Sequence, residues 1–164
     1  MTTAIYFFLM GICLFVLPQL FVRYILGVPK MDKNIRFLIY AGILPVLWLF
    51  VPRELNEFRG VNFLQHMIGG GVAVGLVGIY FINSLKEKLP ILEKLFLQFV
   101  LIYILVSAFG AANELLEFLL DYVGIGIFSA DRYDTWFDIL ANTSGALLVF
   151  VAYKILGLFF KNSN

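Results

Sequence analysis

Apolar runs of membrane length alternate with short polar links along this chain. Five windows carry the pattern, about Ala4–Val22, Ile35–Val51, Asn62–Asn83, Leu95–Leu120 and Phe137–Phe160. A helix needs roughly 20 mainly apolar residues to cross a bilayer, so the pattern predicts an all-α bundle of about five transmembrane helices. Pro18 is expected to kink or end the first span and Pro45 to kink the second, whereas Pro90 falls in the polar link Ser84–Pro90, where it breaks nothing. The first window has no basic stretch before it and no small-residue cleavage site behind it. It therefore reads as a retained helix and not as a signal peptide.

The pattern is interrupted by one polar cluster. Asn113, Glu114, Glu117 and Asp121 close the fourth window, and Asp138 and Asn142 open the fifth. Carboxylates in a membrane segment are costly and mark a candidate functional site. On a helix, Glu114, Glu117 and Asp121 project within an arc of about 60°, and Asp138, Asn142 and Gly145 share one stripe. With Asp121 and Asp138 at the interface, Glu114 is about 10 Å deeper and Asn142 about 6 Å deeper, which predicts a shallow pocket. His66, near the start of the third window, joins the same level. Gly71, Gly75 and Gly78 contain a Gly-x-x-x-Gly spacing and read as helix-packing positions, as do Gly110, Ala111 and Ala112.

Composition agrees with the pattern. Of 164 residues, 62% are hydrophobic and 14% charged, with a mean hydropathy of +0.93, far from a soluble domain. One polytopic membrane domain over residues 1–164 is expected, with a membrane lipid environment as its partner. A net charge of +1 provides no basic stripe, so nucleic acid is not an expected partner. Cys13 is the sole cysteine; it excludes an internal disulfide and a cysteine metal cage, and reads as a small buried hydrophobe.

Charge distribution sets the expected orientation. Arg23, Lys30, Lys33 and Arg36 crowd the first link, Lys86, Lys88 and Lys94 surround the third, and Lys161 follows the last span. The second and fourth links hold Arg53, Arg59 and Arg132 among acidic residues. The positive-inside rule then places the N-terminus outside and the C-terminus in the cytoplasm of a cell-membrane protein. Trp48 and Trp136 fall near the outer interface as an aromatic belt, and Lys154 is expected to snorkel to the inner headgroups.

The chemistry of the cluster stays open. Two carboxylates one turn apart, Glu114 and Glu117, repel near hydrocarbon, so one holds a proton or meets a cation. The set suits a divalent cation of unknown identity, an acid–base pair or a proton relay; no P-loop or His-Glu-x-x-His motif is present. Structural roles compete with these. Thr135 and Asp138 have capping-box spacing, Asn142 suits an interhelical bridge, His66 suits a hydrogen bond to a neighbouring carboxylate, and Arg53, Glu54, Glu57 and Arg59 suit a solvated loop face.

The run ADRYDTWFDILANTSGALL, with Arg132, Asp138, Asn142 and Gly145, resembles the Arg…Asp-x-x-x-Asn-x-x-Gly signature of VanZ-like membrane proteins. The glutamate of ANELLEFLL and His66 in NFLQHMIGGG resemble that family's upstream motifs, so the resemblance spans about Asn62 to Leu148. Glu114, Glu117 and DTWFD also resemble YjdF-type inner-membrane proteins. Asn62-Phe63 stands where the VanZ-like pattern often has Asp-Lys, and Glu117 where glutamine is common. The resemblance implies a cell-envelope protein, in some members linked to glycopeptide-antibiotic resistance.

Together these readings predict an outward-facing pocket of His66, Glu114, Glu117, Arg132, Asp138 and Asn142. Its expected role is binding or modifying an outer-leaflet, lipid-linked or cell-wall ligand. Glu114, Glu117 and Asp138 would do acid–base or metal work, with His66, Arg132 and Asn142 binding the ligand and Arg132 holding an anionic headgroup. A proton-coupled carrier and a non-catalytic membrane partner are the alternatives.

Overall fold

The computed structural model describes residues 2–27, 34–52, 59–124 and 132–161, with side chains at 4–27, 34–52, 62–124 and 135–157. These residues form helices and turns without strands. Helix α1 comprises Thr2–Leu20 and widens into a π turn at Phe21–Ile25; α2 is Ile35–Leu47, ending in a 3₁₀ turn at Trp48–Phe50. Helix α3 runs through Arg59–Gln65, a π segment at His66–Val72, and Ala73–Leu85; α4 is Leu95–Tyr122 and α5 is Arg132–Lys161.

Four helical stretches are long and apolar enough to cross a membrane: Ala4–Ile25, Asn62–Leu85, Leu95–Tyr122 and Thr135–Gly157. The remaining apolar helix, Ile35–Phe50, is shorter. At 1.5 Å per residue it reaches about 24 Å against a hydrocarbon core of roughly 30 Å. Pro18 does not end α1, which continues past it into the π turn, and Pro45 lies within α2 just before its closing 3₁₀ turn.

Helix α3 is the centre of the bundle. Its residues from Ala73 to Ile82 are buried almost all round, while the other helices keep large apolar side chains such as Phe8, Phe96, Phe118 and Leu148 exposed. That inversion is expected where the surroundings are as apolar as the core. Backbones approach closely where α1 crosses α2, at Gly11 and Gly42, and where α3 crosses α5. A Cβ on Gly71 would lie 2.9 Å from the Cα of Gly145, and one on Gly145 would lie 3.0 Å from the backbone nitrogen of Val72. Neither position has space for a side chain. Gly75 faces Ala146 and Val149 on α5, whereas Gly78 faces Ile102 on α4; the small-residue row therefore joins three helices.

The bundle also separates its charges by end. Lys88 Nζ donates to the carbonyls of Leu26 and Gly27 at 2.8 and 3.0 Å, tying the α3 end to the end of α1. Nearby, Lys154 Nζ donates to Gln98 Oε1, Gln98 Nε2 donates to the carbonyl of Leu92, and the Phe150 and Tyr153 rings flank the ammonium at 5.4 and 5.3 Å. Lys154 therefore does not simply snorkel, because a buried glutamine holds its head. Tyr153 Oη donates to Asn83 Oδ1 at 2.9 Å at this same end.

Candidate functional site

Helix α4 presents an inward row of Gln98, Ile102, Val106, Gly110 and Glu117 at helical spacing, apolar in the middle and polar at both ends. Its Glu117 end meets the other polar groups. Carboxylate oxygens of Glu114, Glu117 and Asp138 all lie within 4.8 Å of one another, with Glu117 and Asp138 buried and Glu114 half-buried. From α3, His66 Nε2 lies 3.4 Å from Asp138 Oδ1. Three helices thus deliver acidic groups and an imidazole to one point.

The π segment explains how His66 arrives there. It begins at His66 and ends where the Ala73 N–H bonds back to Ile68 and Gly70 carbonyls. Within it Gly69 lies towards Pro45 of α2 while Gly70 and Gly71 lie against Asn142 of α5, and π turns are common at functional sites. Asn142, one turn deeper than Asp138 on α5, is 6% exposed, and its Oδ1 is buried without a hydrogen-bond partner among the described residues. Its carboxamide fills the space that a side chain at Gly70 would need and lies in ordinary contact with Gly110.

Helix α1 contributes a group that sequence reasoning missed. Tyr6 Oη donates to Asn113 Oδ1 and reaches Glu117 Oε1 at 3.5 Å, while Asn113 Nδ2 donates to the same Oε1 at 2.7 Å. Asn113 was visible as part of the polar cluster. Tyr6 was not, because one tyrosine in an apolar run has the appearance of an interfacial aromatic.

A cavity of about 430 Å³ adjoins these residues, within the range of roughly 300–1,000 Å³ usual for ligand pockets. Tyr6, Gln65, His66, Asn113, Glu117 and Asn142 form its polar part, and Met10, Leu14, Val74 and Val106 are among its apolar walls. Glu114 and Asp138 stand behind this lining and touch it through Glu117 and His66.

Several sequence expectations change. Helix α5 begins at Arg132, so Thr135 lies inside it and the capping-box reading of Thr135 and Asp138 fails; Asp138 faces His66 instead. Cys13 is exposed and lines the cavity, contrary to its reading as a buried hydrophobe. Trp136 is exposed as a belt residue would be, but Trp48 is half-buried in the cavity wall. The side chain of Arg132 lies outside the described residues, as do those of Arg53, Glu54, Glu57, Arg59, Lys30, Lys33 and Lys161. Comparison of the chain with protein-family models, curated proteins and solved structures gives no match.

Proposed function

We propose that this chain is a VanZ-like protein of the cell envelope whose pocket binds, or binds and modifies, an outer-leaflet lipid-linked or cell-wall ligand. The observation that carries this is the meeting of Glu114, Glu117 and Asp138 within 4.8 Å, with His66 beside them, against a 430 Å³ cavity. Carboxylates gathered in this way suit acid–base work or the holding of a divalent cation. In this account Glu117, backed by Glu114 and Asp138, acts on the ligand, Asp138 and His66 orient one another, and Asn142 offers its acceptor. With the basic ends of the helices cytoplasmic, the pocket faces outward.

A layer of Val74, Val77, Ile102, Val106 and Ala146, all buried, separates the acidic site from the Gln98–Lys154 pair. A proton-coupled carrier needs polar groups through that layer, so its apolar character favours a ligand pocket.

The test is expression of the parent, Glu117→Gln and Asp138→Asn in a glycopeptide-sensitive host. The parent is expected to raise teicoplanin tolerance, and both variants to lose that gain while accumulating equally. No gain with the parent, or full retention by both variants, contradicts the proposal.

A further inference from the structure

We infer that the basic end of the bundle holds an anionic phospholipid, with its phosphate at Lys154 and one acyl chain in a groove between α4 and α5. This site is separate from the acidic pocket and does not rest on the reading of that pocket. Gln98 is buried near the start of α4 with its Nε2 donating to the Leu92 carbonyl, which leaves its Oε1 fixed to receive the Lys154 ammonium. The ammonium is thus held in place before any ligand arrives. It carries three donors, and Gln98 accepts the one hydrogen bond that it makes among the described residues.

No carboxylate pairs with this charge among the described residues. Glu87 and Glu93 lie at the same end, yet both are exposed and neither bridges to Lys154 or Lys86. Tyr153 Oη donates to Asn83 Oδ1, which sets the end of α3 beside Lys154, and Lys86, one turn on from Asn83, acts on Lys154 as a second positive charge. Lys94 stands at the start of α4, one turn before Gln98. Basic groups gathered between helix ends at a membrane surface favour an anionic headgroup.

The groove decides what kind of anion it is. The Phe150 ring lies 5.4 Å from the Lys154 ammonium, and from there Phe150, Leu147 and Thr143 on α5 face Phe99, Tyr103 and Val106 on α4 across a groove of about 90 Å³. Thr143 turns its hydroxyl to the Ile139 carbonyl, so the wall is apolar. Such a volume is too small to enclose a soluble ligand, which needs roughly 300 Å³ or more. Its flank is also open, since Phe99, Tyr103 and Leu147 are exposed. From Phe99 to Val106 the groove runs about 10 Å, within the roughly 15 Å depth of one leaflet. A single acyl chain fits along it with its other side against the bilayer.

A lipid in an open groove exchanges with its neighbours, so the test is made in the bilayer. The full-length protein carrying Tyr103→Trp, Trp48→Phe and Trp136→Phe is reconstituted in phosphatidylcholine vesicles. Quenching of the introduced tryptophan by phosphatidylglycerol with dibrominated chains is compared with quenching by phosphatidylcholine with the same chains. The anionic lipid is expected to quench with about fivefold higher apparent affinity, the effect of roughly one lysine near a membrane surface, and adding Lys154→Gln is expected to remove most of that preference. Trp136, at the acidic end and read in Trp48→Phe alone, is expected to show none. Equal quenching by both lipids at position 103 overturns the inference, as does a preference that survives Lys154→Gln or appears equally at Trp136. Erasure of the preference by inorganic phosphate at constant ionic strength overturns the lipid seat in favour of free phosphate.

Discussion

Glu117 is buried on α4, accepts from Asn113 and Tyr6, and shares its space with Glu114 and Asp138. Removing its charge relieves repulsion, and the glutamine keeps the shape and an acceptor oxygen. Glu117→Gln is therefore expected to leave the melting temperature equal or higher, measured by thermal unfolding in detergent, even where function is lost. Tyr6→Phe keeps the ring but removes the donor to Asn113 and Glu117 and should cost about 1 kcal/mol. The loss is read as a lower melting temperature; an unchanged melting temperature would show that the Tyr6 hydrogen bonds do not hold α1 to α4. The acidic residues were legible in the sequence because each interrupts an apolar run. Tyr6 and Cys13 were not, since which side of α1 faces a cavity depends on the helix opposite and leaves no mark in an apolar run.

At the scale of elements, the α3–α5 crossing controls the site because Gly71 and Gly145 bring the two backbones together just beyond the Asn142 and His66–Asp138 levels. Gly145→Ala puts a Cβ against the Met67 carbonyl and the Val72 nitrogen, both backbone atoms that cannot swing aside. A loss of about 1–3 kcal/mol is expected from such overpacking, read as a lower melting temperature; an unchanged melting temperature would show that the crossing tolerates expansion. Gly-x-x-x-Gly spacing made close packing at Gly71 and Gly75 legible. The π segment at His66–Val72 and the early start of α5 at Arg132 were not, because both are settled by contacts between helices. Local spacing alone made Thr135 and Asp138 resemble a cap.

For the whole molecule, hydropathy periods identified five helices close to their observed bounds, but the length of Ile35–Phe50 became clear only from its folded ends. The basic residues Lys88, Lys154 and Arg23 gather at the end opposite the acidic site. The proposed orientation makes this end cytoplasmic. Cysteines at Asn56 and Ser129, in a Cys13→Ser background, are expected to react with an impermeant thiol reagent in intact cells, with Glu87→Cys protected. The reverse pattern would turn the pocket to the cytoplasm.

The central claim is that the acidic site and its cavity hold a ligand and do not merely lock three helices. Native mass spectrometry of the protein released from its host membrane tests it most directly. The account predicts an amphiphile retained by the parent and largely lost from Glu117→Gln and Asp138→Asn, with thermal stability preserved. No retained amphiphile in the parent, or equal retention across all three proteins, would contradict it.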